Sequence, residues 1–249
     1  MANFKIDLNT KIVASDTRVF LARAGKNGHM FTSVMQAQAI GPDLPNLELD
    51  LSNGLDADTD VEAKIKRSRA LASWLRSSIS SRGGMPSKEI EDFREKKKNP
   101  GHAQIDGIVN SYFKEVRVGD LLVVPNPSFF GEALIAEAGP IELTSVKIPG
   151  VGRYEGFNFD GRKFNHFSKV KMSKLPRAVI DLAKAPTGFA EIKDHRVKAR
   201  LIEFAYEDFV YDSQFFGRIR TTKDDFTSFD VNVLGAFVSM IAGSVAQIF

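Results

Sequence analysis

Apolar positions change period several times along this chain, and the changes mark its elements. Residues 18–24 (RVFLARA) form a short β-rich run ending at Gly25-Lys26-Asn27-Gly28, the pattern of a strand entering a turn. Over residues 29–40 the apolar positions Phe31, Val34, Met35 and Ala39 fall near helical spacing, so a short helix is expected. Residues 41–60 are rich in Pro, Asn and Asp and read as a surface loop holding one short strand. Asp60 stands where an N-cap belongs, ahead of a helix to about residue 78 with Val61, Ile65, Ala72 and Leu75 on its inner face. Residues 1–15 read as an arm or edge strand.

Periodicity lapses over residues 80–101, where Gly83-Gly84, Pro86, the charge run Arg94-Glu95-Lys96-Lys97-Lys98 and Asn99-Pro100-Gly101 predict a mobile insertion. A helix over 103–113 follows, then a Gly119-Asp120 turn and two apolar strands, 121–124 and 133–138, joined by a Pro-broken loop. Residues 150–165 mix Gly with aromatics. Beyond them the pattern predicts a strand at 166–172, a helix at 175–183, a strand at 188–192, a helix at 193–209 and a strand at 215–220. Thr227 or Ser228 would cap a final helix. Its last 19 residues carry no charge, and Gly235, Ser239 and Gly243 form a stripe that lets helices approach closely. Short strands separated by helices and irregular loops make an α+β protein.

Composition narrows the classes. An apolar fraction of 43% in 249 residues supports a real core and excludes wholesale disorder. Zero cysteines exclude disulfides, thiolate metal sites and cysteine nucleophiles. With no signal-length apolar stretch in MANFKIDLNTK, this fits a cytoplasmic protein. A net charge of +3 and a pI near 9.0 permit a polyanion partner without requiring one. The terminal apolar helix approaches the about 20 residues of a membrane span, but Asn232, Ser239, Ser244 and Gln247 suit a buried or dimer-forming helix better. Because the chain stops on Phe249 with no polar tail, the expectation is a sensor part of a longer protein. An effector module or membrane segment would follow, and the helix could support a homo-oligomer.

Three segments, in order, carry a family resemblance. RVFLARAGKNG resembles the opening strand and turn of the PUA-like domains at the N-terminus of Mrr-type restriction proteins, relatives of EVE, YTH and ASCH domains. FKEVRVGDLLVVPNPSFFGEALIAEAGP resembles their central Gly-Asp turn and strand pair, and HFSKVKMSKLPRAVIDLAKAPTGFAEI their basic strand, short helix and closing strand. The resemblance implies a small, closed or nearly closed PUA-like (EVE-like) β-barrel with flanking helices over residues 16–210, followed by a C-terminal strand and apolar helix over 211–249. It also implies a nucleic-acid-binding sensor that recognises a modified or flipped base in a bacterial restriction or anti-phage system.

A flipped base needs an apolar face to stack on and a few donors for its edge, and its phosphates need cations or backbone N–H groups. Arg23, Lys26 and Asn27 form a candidate anion-binding turn, against the reading of a plain strand end. Phe129 and Phe130 are candidate stackers or a pocket wall, although such pairs more often plug a core. Trp74 carries the same two readings. Tyr154, with Phe157 and Phe159, interleaves with Arg153, Arg162 and Lys163, a mixture suited to single strands or to buried loop anchors. His166, Lys169 and Lys171 make a basic strand face, and the leading reading requires this face and residues 23–28 to share one rim.

Two other readings stay open: an oligomerisation or regulatory domain sensing a small ligand or phage protein, and an Mg-dependent nuclease built on Asp181 and Glu191-Ile192-Lys193. His29, His102, His166 and His195 lack metal-ligand spacing, no nucleotide or cofactor motif is present, and no catalytic residue is expected.

Overall fold

The structure is a computed structural model that describes residues 11–95, 102–141, 146–185, 188–206, 209–211 and 214–216. Its strands are β1 (Lys11–Val13), β2 (Val19–Ala22), β3 (Ala39–Ile40), β4 (Leu121–Val124), β5 (Glu132–Ala138), β6 (Val146–Pro149), β7 (Asn158–Lys171), β8 (Phe189–Glu191), β9 (Phe209–Tyr211) and β10 (Gln214–Phe216). The six helices among the described residues are α1 (Phe31–Ala37), α2 (Val61–Arg76), α3 (Glu91–Arg94), α4 (His102–Asn110), α5 (Arg177–Lys184) and α6 (His195–Ala205).

The chain divides into two units. The smaller, Met1–Thr17 with Tyr206–Phe249, holds a three-stranded sheet in which β9 pairs parallel with β1 and antiparallel with β10. The larger, Arg18–Ala205, is α+β around a curled half-barrel sheet of order β3-β7-β5-β4-β2-β8, with β6 added against β7. β2 and β4 run parallel, and every residue in both is buried. A parallel pair covered on both faces reads as a continuous apolar run, which is what VFLA and LLVV are. Phe20, Leu122, Leu134 and Ala136 face one core with Phe31, Val34, Ile65, Leu75 and Tyr112. On the other side of the sheet α6 packs against β5 and β7, and α5 against β2.

β7 organises the sheet. Its first part pairs with β6 and β3, and its second part with β5. Between them the register to β5 skips Asn165, because Glu137 faces His166 while Ala138 faces Phe164. One extra residue in a strand bends it and increases its twist, and this bulge sits where the sheet curls. Residues 158–165, within the stretch that mixes Gly with aromatics, are strand. Gly161 marks a close approach, since a Cβ there would fall 2.5 Å from Ile148 Cδ1.

The strands at 121–124 and 133–138 lie within a residue of their predicted bounds, whereas β6 and β9 had no clear sequence signal. The loop at 41–60 is not simply a surface feature: Leu44, Leu47, Leu49, Leu51 and Leu55 are buried in the core. Asp60 precedes α2 but its carboxylate does not cap it. It binds Arg94 instead (2.9 Å), which holds that carboxyl below its ordinary range, and Asp58 accepts from the Asp60 N–H (3.1 Å). Within the stretch expected as a mobile insertion, Phe93 is buried, Arg67 donates to Lys88 O (3.0 Å) and Lys66 to Arg94 O (3.5 Å). The expected helix at 193–209 ends at Ala205, and the terminal apolar helix lies outside the described residues. Among the described residues no helix is long and apolar enough to cross a membrane.

The buried carboxylate of Asp120 joins the parallel pair. It accepts from Arg18 N (2.9 Å), Arg117 N (2.8 Å) and the Arg18 guanidinium (2.8 Å). Gly119, at φ +89°, supplies the left-handed step that brings Asp120 round to these donors. Removing the acceptor strands two backbone donors and a half-buried cation. Asp120→Ala is thus expected to destabilise the fold by about 2–4 kcal/mol, seen as a lower urea midpoint with unchanged slope.

Candidate functional site

The turn after β2 is compact. Gly25, Asn27 and Gly28 all have positive φ, of 73°, 58° and 70°. Its inward amide already has an anion: Lys26 N donates to Asp43 Oδ2 at 3.0 Å. His29 Nδ1 donates to Lys26 O (2.9 Å), and its Nε2 lies 3.6 Å from Asp43 Oδ1. The imidazole stacks on Tyr154, with centroids 4.8 Å apart and planes 20° apart. Tyr154 is buried and meets Phe159 edge-on, and burial together with the Asp43 charge raises its phenol above the ordinary range. Tyr154 is thus a core residue holding the turn from below. No sequence signal marks Asp43, the acid that organises this turn, because its role depends on a loop folding back.

Arg23 does not face solvent as a phosphate ligand. Its guanidinium donates to Ala183 O (2.6 Å) and Ala185 O, the carbonyls at the end of α5. Those carbonyls have no partner within the helix and attract a cation. Arg162 behaves alike: buried on β7, it donates to Gly139 O (2.8 Å) and to Tyr112 O and Val116 O, around the π-helical turn Ser111–Glu115 that continues α4. Burial lowers its pKa to about 10, with the Asp120 charge acting in the opposite sense. Lys26 and Asn27, by contrast, are exposed.

The β4–β5 loop overturns the core-plug expectation for its Phe pair. Phe129 is 51% exposed and Phe130 95%, their rings 6.0 Å apart at 77°. The loop backbone is nonetheless fixed. Asn126 Oδ1 accepts from Ser128 N (2.8 Å), Asn126 Nδ2 donates to Glu132 O (3.1 Å), and Gly131 N donates to Ser128 O (3.0 Å). This Asx-type turn turns both rings outward. The loop touches two other segments. Met172 N donates to Gly131 O (3.0 Å), and Gly28 sits so close to Pro127 that a Cβ there would fall 2.9 Å from the Pro127 Cβ.

Sheet register sorts the basic strand. Lys171 pairs with Glu132 and Lys169 with Leu134, the residue opposite Val124, so both lie at the end where β2 enters its turn. His166 instead shares a row with Glu137, Leu121 and Val19, at the other end. There His166 Nε2 donates to Ala205 O (3.2 Å) and Ser168 Oγ to Phe204 O (2.6 Å), both at the C-terminus of α6. The required common rim therefore holds for Lys169 and Lys171 and not for His166. Trp74 lies elsewhere, half-buried, donating to Gly83 O (2.9 Å) with the Arg82 guanidinium 4.6 Å from its ring centroid.

Register and these contacts place Lys26, Asn27, Phe129, Phe130, Lys169 and Lys171 at one end of the sheet, with exposed Glu132 opposite Lys171 and exposed Lys174 just beyond β7. Lys26, Lys169, Lys171 and Lys174 have no ion-pair partner among the described residues. The carboxylates of the nuclease reading are placed otherwise. Asp181 lies on α5, bonded to Arg177 (3.0 Å), while Glu191 lies on β8. No group of three potential metal ligands occurs among the described residues. The chain matches no protein-family model, no curated protein and no solved structure.

Gly28 carries both a left-handed φ and the Pro127 contact, whereas Gly54 has φ +83° and open space around it. Gly28→Ala is expected to cost about 1–3 kcal/mol and more than Gly54→Ala, compared by urea unfolding.

Proposed function

We propose that this chain is a nucleic-acid-binding module and that the sheet end bearing Lys26, Asn27, Phe129, Phe130, Lys169 and Lys171 is its interface. One observation carries the reading: two exposed aromatic rings on a hydrogen-bonded loop, near lysines that form no salt bridge among the described residues. Ammonium groups attract phosphates and release their counterions, and exposed rings attract bases. We read the curled half-barrel as a PUA-like barrel, from the three ordered segments and from the parallel pair at its centre. A role in restriction or phage defence, with a modified base as target, follows from that resemblance alone and belongs to the same proposal.

The test is binding to labelled DNA and RNA oligonucleotides at low salt by fluorescence anisotropy. Binding that weakens linearly in log K against log salt is expected, and no binding to either polymer at low salt would sink the reading. Lys26→Ala with Lys171→Ala should lower the salt slope by about 1.4–1.8, near 0.7–0.9 for each phosphate left without its ammonium group. His166→Ala, at the other end of the sheet, should leave that slope unchanged.

A further inference from the structure

We propose that Phe130 stacks on an unpaired base, so that the substrate is single-stranded nucleic acid bound with little regard to base sequence. The proposal rests on the nucleic-acid reading of this sheet end and specifies which polymer it takes.

Phe130 is almost wholly exposed, with Phe129 meeting it edge-on, so a flat hydrocarbon face is open to solution. In an intact duplex the faces of the bases are covered by their neighbours, and only edges and phosphates are within reach. A ring without donors or acceptors has nothing to read on those edges. On an unpaired strand every base offers a face, and stacking accepts any of the four. The loop is also ordered beforehand. Asn126 ties both of its ends, Ser128 Oγ accepts from Phe130 N (3.3 Å), and Pro127 is wedged against Gly28. Binding then need not order the backbone that presents the ring.

The cations lie on the two segments that touch the loop, Lys26 on the turn that abuts Pro127 and Lys171, opposite Glu132 in register, on the strand whose end bonds to Gly131. A flexible strand stacked on the loop has ammonium groups on the neighbouring turn and strand for its phosphates. The same chemistry could suit an anionic membrane, but the rest of the loop argues for the strand. Asn126, Ser128 and Glu132 are polar or charged, which leaves an apolar footprint two rings wide. That is the size of one or two bases and is small for a lipid surface.

The experiment compares oligothymidylate, oligoadenylate and a blunt duplex of equal length in fluorescence anisotropy, with wild type, Phe130→Ala and Phe130→Trp, each checked for the native circular dichroism spectrum. Wild type should bind both single strands with similar affinity and at least tenfold more tightly than the duplex. Phe130→Ala should lose about five- to hundredfold on single strands while its weak duplex binding and salt slope stay unchanged, and Phe130→Trp should restore the loss. Equal affinity for duplex and single strand, or single-strand binding indifferent to Phe130→Ala, overturns the stacking proposal and leaves the nucleic-acid reading standing. Binding to neither polymer overturns both. Phosphatidylserine vesicles form the last arm, and capture that needs Phe130 in the absence of oligonucleotide binding assigns the loop to membranes and overturns the proposal.

Discussion

The carboxylate of Asp120 fixes the alignment on which the larger unit depends. β2 and β4 are parallel, so no hairpin sets their register, and Arg18 and Asp120 are 102 residues apart in the chain. A slip of one residue would turn every side chain to the opposite face. Asp120 prevents that by binding the backbone N–H and the guanidinium of Arg18 at the start of β2 while closing its own turn through Arg117 N. Because parallel strands end on the same side, the turn after β2 and the loop after β4 leave the sheet together, and Gly28 meets Pro127. The composite surface at that end follows from register set at the other.

Helix termini are the second organising theme. Arg23 closes α5, Arg162 closes the π-helical end of α4, and His166 with Ser168 closes α6. Each lies on a strand, or directly after one in the case of Arg23, and reaches an orphan carbonyl, so sheet and helices are tied by polar contacts as well as by apolar burial. A planar guanidinium suits this because one fork can serve two carbonyls, as Arg23 does at Ala183 and Ala185.

These ties explain what could and could not be read along the chain. VFLA, LLVV and ALIAEA are apolar runs bounded by Gly, Asp and Pro, and their strand character was legible for that reason. β7 was legible only in its second half. Its first half is built around Gly161 and a buried Arg162, neither of which carries a strand signal. Among the candidate site residues, Arg23 and His166 bond to helix carbonyls, a use that local sequence does not distinguish from contact with a phosphate. Tyr154 was ambiguous because stacking on His29 needs contact between distant loops. Phe129 and Phe130 were left between core plug and base stacker because Phe is usually buried, and their exposure comes with the turn that Asn126 and Gly131 shape. Lys26, Lys169 and Lys171 were legible as exposed cations, and sheet register brought them to one end.

Arg23, Arg162 and the lysines at the loop end put positive charge to two different uses. Guanidinium groups at Arg18, Arg23 and Arg162 bond to framework carbonyls and to Asp120. The charges offered at the loop end are ammonium groups, strongly hydrated and loosely oriented. Amine-selective acylation therefore reaches the outward charge and leaves the framework arginines their partners, while dicarbonyl reagents aimed at guanidinium must first open the fold to reach Arg162.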